Sequence, residues 1–362
     1  MGERLINFNA GPSILPVPVL EEAARNLVEY GTAGMSIMEM SHRSKEFDAI
    51  IQDAEARIRS VIGVPAGYQV MFLQGGASLQ FSMLPMNLLG AGQTADYIDT
   101  GVWSSTAIKE AKKVGTINVA ASSADRKYAY IPKPESFKLT PGAAYVHTTS
   151  NNTIYGTQWA SAPSFDAPHV CDMSSDICSR PIDMSKYACI YAGAQKNLGP
   201  SGVVIVIMRD DLVARSPETL SNMLSYKNHA KKKSLHNTPP TFAIYVVQLV
   251  MKWIEAQGGL KGIEQVNEAK AKAIYDAIDR SSGFYRCPAD KDSRSKMNIA
   301  FRLPSEELEA TFISEGKKQA KLHGLKGHRD VGGCRASIYN AMPLAGCETL
   351  AKFMDEFAKK NG

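Results

Sequence analysis

The sequence predicts an α/β fold, with a large domain built on a mostly parallel sheet covered by helices and a smaller α+β domain at the C-terminal end. Three observations carry this. The chain has 362 residues, more than one hydrophobic core usually supports. From about residue 69 to 208, short apolar runs alternate with longer amphipathic ones, the pattern of strands joined through helices. After about residue 281 that alternation gives way to another order of elements.

The elements follow in order. Ile6-Asn-Phe-Asn-Ala-Gly-Pro12 is strand-like and uncapped, and is expected to cross back onto the small domain. Tyr68–Leu73 reads as a strand, and residues 78–89, after Gly75-Gly76, as a helix. Ala95–Ile98 reads as a strand and 102–114 as a helix running out at Lys112-Lys113 before Gly115. Further strands are expected at 143–148, 169–172, 187–192 and 202–208. Residues 241–257 form a long apolar helix stopped by Gly258-Gly259, and a charged amphipathic helix spans roughly 261–281. Residues 296–303 and 334–338 look like strands, with helices at about 305–323 and 345–360. The expected division is 16–258 for the large domain, and 1–15 with 259–362 for the small one.

Composition narrows the class. Hydrophobic residues make up 44% and charged residues 21%, as in ordinary globular proteins. The net charge of +5 is too mild to single out nucleic acid as a partner. The one dense basic run, Lys231-Lys232-Lys233, reads as a solvated loop. A polyanion-binding protein using that run is the reading from another class, and steep salt-dependent retention on nucleic acid would support it. No apolar stretch is long enough to span a bilayer, and no signal or transit pattern opens the chain, so a cytoplasmic protein is expected. The six cysteines form no C-x-x-C pair and the seven histidines no H-E-x-x-H motif, so no metal is expected.

Three features bear chemistry. Gln74-Gly-Gly-Ala-Ser78 lies between a strand and a helix. Gly75 and Gly76 permit positive φ, Ser78 offers a hydroxyl, and the helix start presents free N–H groups, which together make a phosphate cup or a plain turn. Asp172 ends the strand His169-Val-Cys-Asp172, where a carboxylate can face a ligand or cap a turn. Lys196 is the single charge in Tyr191-Ala-Gly-Ala-Gln-Lys-Asn-Leu-Gly-Pro-Ser-Gly202. Burial favours its neutral amine, a nucleophile that forms a Schiff base with an aldehyde; an ion-paired lysine is the plainer reading. Together, cup, carboxylate and lysine match what pyridoxal 5'-phosphate requires: a seat for phosphate, a partner for the pyridinium nitrogen and an amine for the aldehyde carbon. Trp103, starting a helix, is placed to stack on the ring or to pack in the core. Thr153 is placed to bond the ring's phenolic oxygen or to cap its loop.

At this point the sequence resembles the phosphoserine aminotransferase family, of the class V, fold-type I aminotransferases. The matching stretches include Phe8-Asn-Ala-Gly-Pro12, Ser41-His-Arg-Ser-Lys-Glu-Phe47, Gln74-Gly-Gly-Ala-Ser78, Thr149-Ser-Asn-Asn-Thr153, Asp172-Met-Ser-Ser-Asp176, Gln195-Lys-Asn-Leu-Gly-Pro200, His236-Asn-Thr-Pro-Pro240 and Lys326-Gly-His-Arg329. They run in family order over nearly the whole chain. The resemblance implies that Lys196 carries the cofactor and moves the proton, and that Asp172 pairs with the pyridinium. It implies that Trp103 stacks and Thr153 touches the polar edge. Gly76, Ala77, Ser78 and Gln195 would hold the phosphate, with Asn237 and Thr238 reaching it from the other subunit of a homodimer.

The implied reaction interconverts 3-phosphohydroxypyruvate and glutamate with phosphoserine and 2-oxoglutarate, as in serine biosynthesis. Arg335 is the candidate for the α-carboxylate. His42 and Arg43, with His328 and Arg329, are the candidates for the distal carboxylate or the substrate phosphate. The alternative within the fold is another class V enzyme, of alanine–glyoxylate type; a desulfurase would need a mobile cysteine, and Cys334 and Cys347 fall in ordered segments. Two positions depart from the family pattern. Asp330 replaces an expected small hydroxyl residue and is expected to point outward, and Cys334 replaces a methionine with only a packing consequence.

Overall fold

The computed structural model describes residues 4–329 and 331–362. Its centre is a seven-stranded sheet of β1 (Tyr68–Leu73), β2 (Thr94–Asp99), β3 (Thr116–Ser122), β4 (Val146–Thr149), β5 (His169–Asp172), β6 (Cys189–Gly193) and β7 (Val204–Arg209). The spatial order is β1-β7-β6-β5-β4-β2-β3. β3, β2, β4, β5 and β6 pair in parallel. β7 runs antiparallel to both β6 and β1. Residues 194–203 are too short for the crossover that a parallel neighbour needs, so β7 must turn back beside β6. The carboxyl ends of β1, β2, β4, β5 and β6 therefore share one edge, where ligands bind in such sheets.

Helices cover both faces. α1 (Val17–Arg25), α2 (Lys45–Ile62) and a long buried helix, α5 (Thr241–Ala256), lie on one side, with Phe47, Ile50, Ile58, Ile244 and Val247 in a common core with Ile190 and Ile205. Each such side chain contributes about 1.5–3 kcal/mol by leaving water. α3 (Gly76–Leu88) and α4 (Val102–Ala111) pack on the other face, with Phe81, Leu84 and Ile108 against Tyr97 and Tyr191. α2 starts where the Ser44 hydroxyl accepts the Phe47 N–H at 3.2 Å, and it ends at Gly63, φ 77°.

The C-terminal part contains α6 (Gly259–Asp279), β8 (Asn298–Phe301), α7 (Glu306–Ala320), β9 (Cys334–Ser337) and α8 (Leu344–Asn361). β8 and β9 pair antiparallel. The N-terminal piece does cross to this part: Ile6–Asn7 pairs in parallel with Leu322–His323, and Phe8 is fully buried among Ile299, Phe301 and Phe312. Cys334 lies in the same core.

The structure adds elements that the sequence pattern did not announce. β3 is an edge strand with most residues exposed or half-exposed, and its polar–apolar alternation, Thr116-Ile-Asn-Val119, is short. α1 and α2 also lie outside the expected elements. The expected strand at 143–148 begins only at Val146, because residues 141–142 form a turn.

Candidate active site

Five strand ends on one edge set the site. Gly75 and Gly76 follow β1, Trp103 follows β2, Thr153 lies beyond β4, Asp172 ends β5 and Lys196 follows β6. The Lys196 amine donates to Thr153 Oγ1 at 2.8 Å and lies 5.9 Å from the centroid of the Trp103 ring. The Arg335 guanidinium, on β9, donates through Nη1 to the Thr153 carbonyl at 3.3 Å. Thr153 thus touches both cations, one through its side chain and one through its backbone.

Electrostatics follow from burial. Protein packed around Lys196 pulls its pKa down to about 8, Asp172 opposing this and Arg335 adding to it. Its side chain keeps partial solvent access. The buried Asp172 carboxyl is pushed up by burial, while a hydrogen bond from the Ser174 N–H at 2.9 Å and the nearby Lys196 charge act in the other direction. Arg335 is lowered by burial, against a smaller opposing effect of Tyr339. Three buried polar atoms here have no hydrogen-bond partner: Trp103 Nε1, Thr149 Oγ1 and Arg335 Nε. Thr149 sits opposite Asp172 in the register of β4 and β5. Orphaned buried donors of this kind are expected where a ligand completes the set.

The glycine cup has the geometry its composition suggested. Gly75 and Gly76 have φ of 80° and 62°, and α3 starts at Gly76 with its first N–H groups free of the helix ladder. Ala77 packs with Trp103 on one apolar cluster. Ser78 is exposed and Gln195 half-buried.

The other expected residues lie on loops and turns. Asn237 and Thr238 lie beside Gln74 of their own chain, the Thr238 carbonyl accepting from Gln74 Nε2 at 3.1 Å. His42 and Arg43 sit in the turn before α2, and no described contact brings them to Lys196. His328 and Arg329 lie in a tight turn, where the His328 carbonyl accepts the Val331 and Gly332 N–H groups. The expectation for Asp330 falls outside the described residues.

The N-terminal segment contributes more than its motif promised. Ser13 donates through Oγ to the Lys196 carbonyl at 2.5 Å, and through its N–H to the Gln195 carbonyl at 2.9 Å. A Cβ on Gly11 would stand 3.5 Å from Lys196 Cγ, so the Phe8-to-Pro12 stretch walls the lysine stem. Ser174 likewise braces the end of β6, its hydroxyl accepting the Gly193 N–H at 3.1 Å. Gly11 and Ser174 stood in motif stretches, and Ser13 lay just past one.

A lysine of lowered pKa, a buried carboxylate on the next strand and an indole 5.9 Å from the amine, at the strand ends of an α/β sheet, define a class of site. Residues 5–350 match the family described as aminotransferase class-V, and the chain belongs to that family. Similar proteins include phosphoserine aminotransferases. That of Geobacillus kaustophilus (strain HTA426) is 56% identical, covering 99% of each chain. The solved phosphoserine aminotransferase from Bacillus circulans subsp. alkalophilus superposes with a TM-score of 0.97 at 55% identity, covering 100% of both chains. A PLP-bound phosphoserine aminotransferase from Trichomonas vaginalis has a TM-score of 0.92 at 37% identity, over 97% of this chain and 99% of that one.

Proposed function

We propose that this chain is a pyridoxal-phosphate-dependent transaminase that interconverts 3-phosphohydroxypyruvate and L-glutamate with O-phospho-L-serine and 2-oxoglutarate. The observation that carries the reading is the half-buried Lys196 amine, bonded to Thr153 at 2.8 Å beside the Trp103 ring and near the buried Asp172. The orphaned Trp103, Thr149 and Arg335 nitrogen and oxygen atoms suit a flat, anionic, acceptor-rich group and a carboxylate. Bound pyridoxal phosphate supplies an electron sink for negative charge at the substrate's α-carbon.

The protein's residues supply the rest. With a pKa near 8, a substantial fraction of Lys196 is neutral at slightly alkaline pH, so its amine serves as nucleophile and as proton carrier. Asp172 would be the carboxylate that pairs with the cofactor's ring nitrogen and favours its protonated form. Arg335 offers a planar guanidinium for the substrate α-carboxylate. Gly76, Ala77 and Ser78 at the start of α3, with Gln195, would seat the cofactor phosphate. His42, Arg43, His328 and Arg329 are the candidates for the substrate's second anion.

We also propose a homodimer in the cytoplasm, with Asn237 and Thr238 reaching the phosphate seat of a second copy. The exposed apolar side chains of Leu27, Val28, Met35 and Met38 support it, since surface of that kind calls for a cover. Among the described residues no helix is long and apolar enough to cross a membrane. The two-part division at residues 16–258 is supported by a separate core of Phe8 with residues 271–357, although Leu260 and Ile263 pack with the large part.

The test is turnover of phosphoserine with 2-oxoglutarate, compared with serine and alanine, in wild type and Lys196→Ala. Activity confined to phosphoserine and lost in the variant supports the reading. Preference for alanine with glyoxylate would replace it with the alternative class V activity.

A further inference from the structure

Asn340 stands where three chain segments meet, and it is 4% exposed. Its backbone N–H donates to Asn197 Oδ1 at 3.0 Å, and its Nδ2 donates to the Cys178 carbonyl at 2.9 Å. Its Oδ1 accepts from Asn267 Nδ2 at 3.0 Å. Asn197 is the residue after Lys196. Cys178 lies in the loop that follows Asp172. Asn340 itself comes just after β9, the strand that carries Arg335. One residue therefore ties together the segments holding the amine, the carboxylate and the guanidinium: its backbone N–H holds Asn197, and its side-chain amide, bonded to Cys178 and Asn267, fixes where that N–H stands.

Two features indicate that this junction is held at some cost. Cys178 has a φ of 58°, a left-handed conformation uncommon for a residue other than glycine. Asn340 holds its carbonyl, and Asn267 holds the next one, Ser179, at 2.9 Å. Lys270 is fully buried and has no carboxylate partner among the described residues. Its ammonium donates to the Ile338 and Tyr339 carbonyls at 3.0 and 2.8 Å, the two residues between β9 and Asn340. A lone buried ammonium is expensive, and burial pulls its pKa down to about 8. Asn267 and Lys270, three positions apart, share one face of α6. That face grips the end of the Arg335 strand from behind.

We propose that Asn340, braced by Asn267 and Lys270, is a positioning residue for the transamination: it fixes the spacing between the Arg335 guanidinium and the Lys196 amine, and so sets affinity for the substrate carboxylate. The inference rests on the roles proposed above for Arg335 and Lys196. Neither end of that spacing is otherwise fixed by a direct bond to the other. Thr153 bridges them, but its 3.3 Å bond to Arg335 is the longer of its two and the guanidinium Nε has no partner. The brace therefore carries the register.

The test uses cofactor-loaded wild type, Asn340→Ala, Asn267→Ala and the double variant. The probe is glutarate, a five-carbon dicarboxylate with no amine to transfer, titrated by its effect on the visible spectrum. The expected result is a visible band retained in all four proteins, with Kd for glutarate and KM for glutamate raised about tenfold or more and kcat changed less. The double variant is expected to match the worse single variant, because the two side chains act as one unit. Kd and KM within about twofold of wild type, with only a lower melting temperature, would overturn the proposal. Additive effects would also overturn it. If Asn340→Ala does not fold, Asn267→Ala alone is measured in the same way: raised Kd and KM support the brace, and wild-type values overturn it. A wild type that neither binds glutarate nor uses phosphoserine overturns the functional reading and this inference with it. An active wild type with unchanged variants overturns the brace alone.

Discussion

Replacing Arg335 with methionine is expected to raise the pKa of Lys196 from about 8 to nearly 9. Both groups are cationic and both reach Thr153, at 2.8 Å for the amine and 3.3 Å for the guanidinium. Adding the ~3 Å between two oxygens of one threonine puts the charges within about 9 Å of each other. At an effective dielectric of about 20 their repulsion is about 2 kcal/mol. Partial solvent access to Lys196 screens this to about 1 kcal/mol. One pH unit corresponds to about 1.4 kcal/mol, so the midpoint moves by somewhat less than one. Methionine keeps most of the apolar stem and removes the charge. The assay is reductive methylation of cofactor-free protein across pH, with the Lys196 peptide quantified by mass spectrometry. Equal midpoints in wild type and variant would refute the reasoning. So would a wild-type midpoint at the ordinary lysine value of 10.5.

Other outcomes follow from the same structure. His147 and His169 are buried, and burial lowers their pKa values from 6.5 to about 3 and about 4. Between those values and 6.5 the unfolded chain binds more protons, so stability falls as pH drops below 6.5, by about 2 kcal/mol per histidine at pH 5. His147→Gln should remove its share of the difference between denaturant midpoints at pH 7 and pH 5; an unchanged difference would contradict this. Gly75→Ala should weaken cofactor binding about tenfold or more, since φ is 80° and the new Cβ would meet Leu79 Cβ at 2.6 Å. A visible-band titration giving wild-type affinity would count against the cup. Ser44→Ala removes the cap of α2 and should cost about 1 kcal/mol in denaturant unfolding, with turnover unchanged.

The parts of the fold that were legible are those where period and length speak together. Tyr68–Leu73, His169–Asp172 and the long helix beginning at Thr241 fall where apolar runs and glycine stops put them. The direction of Val204–Arg209 was not legible in its apolar pattern, which looks the same beside a parallel or an antiparallel neighbour; the signal for it lay in the short connection at 194–203. The edge strand Thr116–Ser122 was missed because its alternation covers only Thr116-Ile-Asn-Val119 before a run of small residues. In the site, Asp172 and Lys196 were legible as polar residues at the ends of buried strands. The meeting of Arg335 with Thr153 spans 182 positions of sequence, and no local pattern encodes it. The same holds for Ser13 on Lys196 and for Asn340 on Asn197. His42 and Arg43 rested on a motif match, and His328 and Arg329 on a motif match and their nearness in sequence to Arg335.

The most direct test of Lys196 as the cofactor residue of a phosphoserine transaminase is a single-turnover measurement. Wild type loaded with pyridoxal phosphate is mixed with phosphoserine in the absence of keto acid, and the visible band is followed. Loss of the band with phosphoserine but not with serine, its recovery on adding 2-oxoglutarate, and no lysine-bound band in Lys196→Ala are the predicted results. A band that persists with phosphoserine, or that forms equally in Lys196→Ala, would contradict the account.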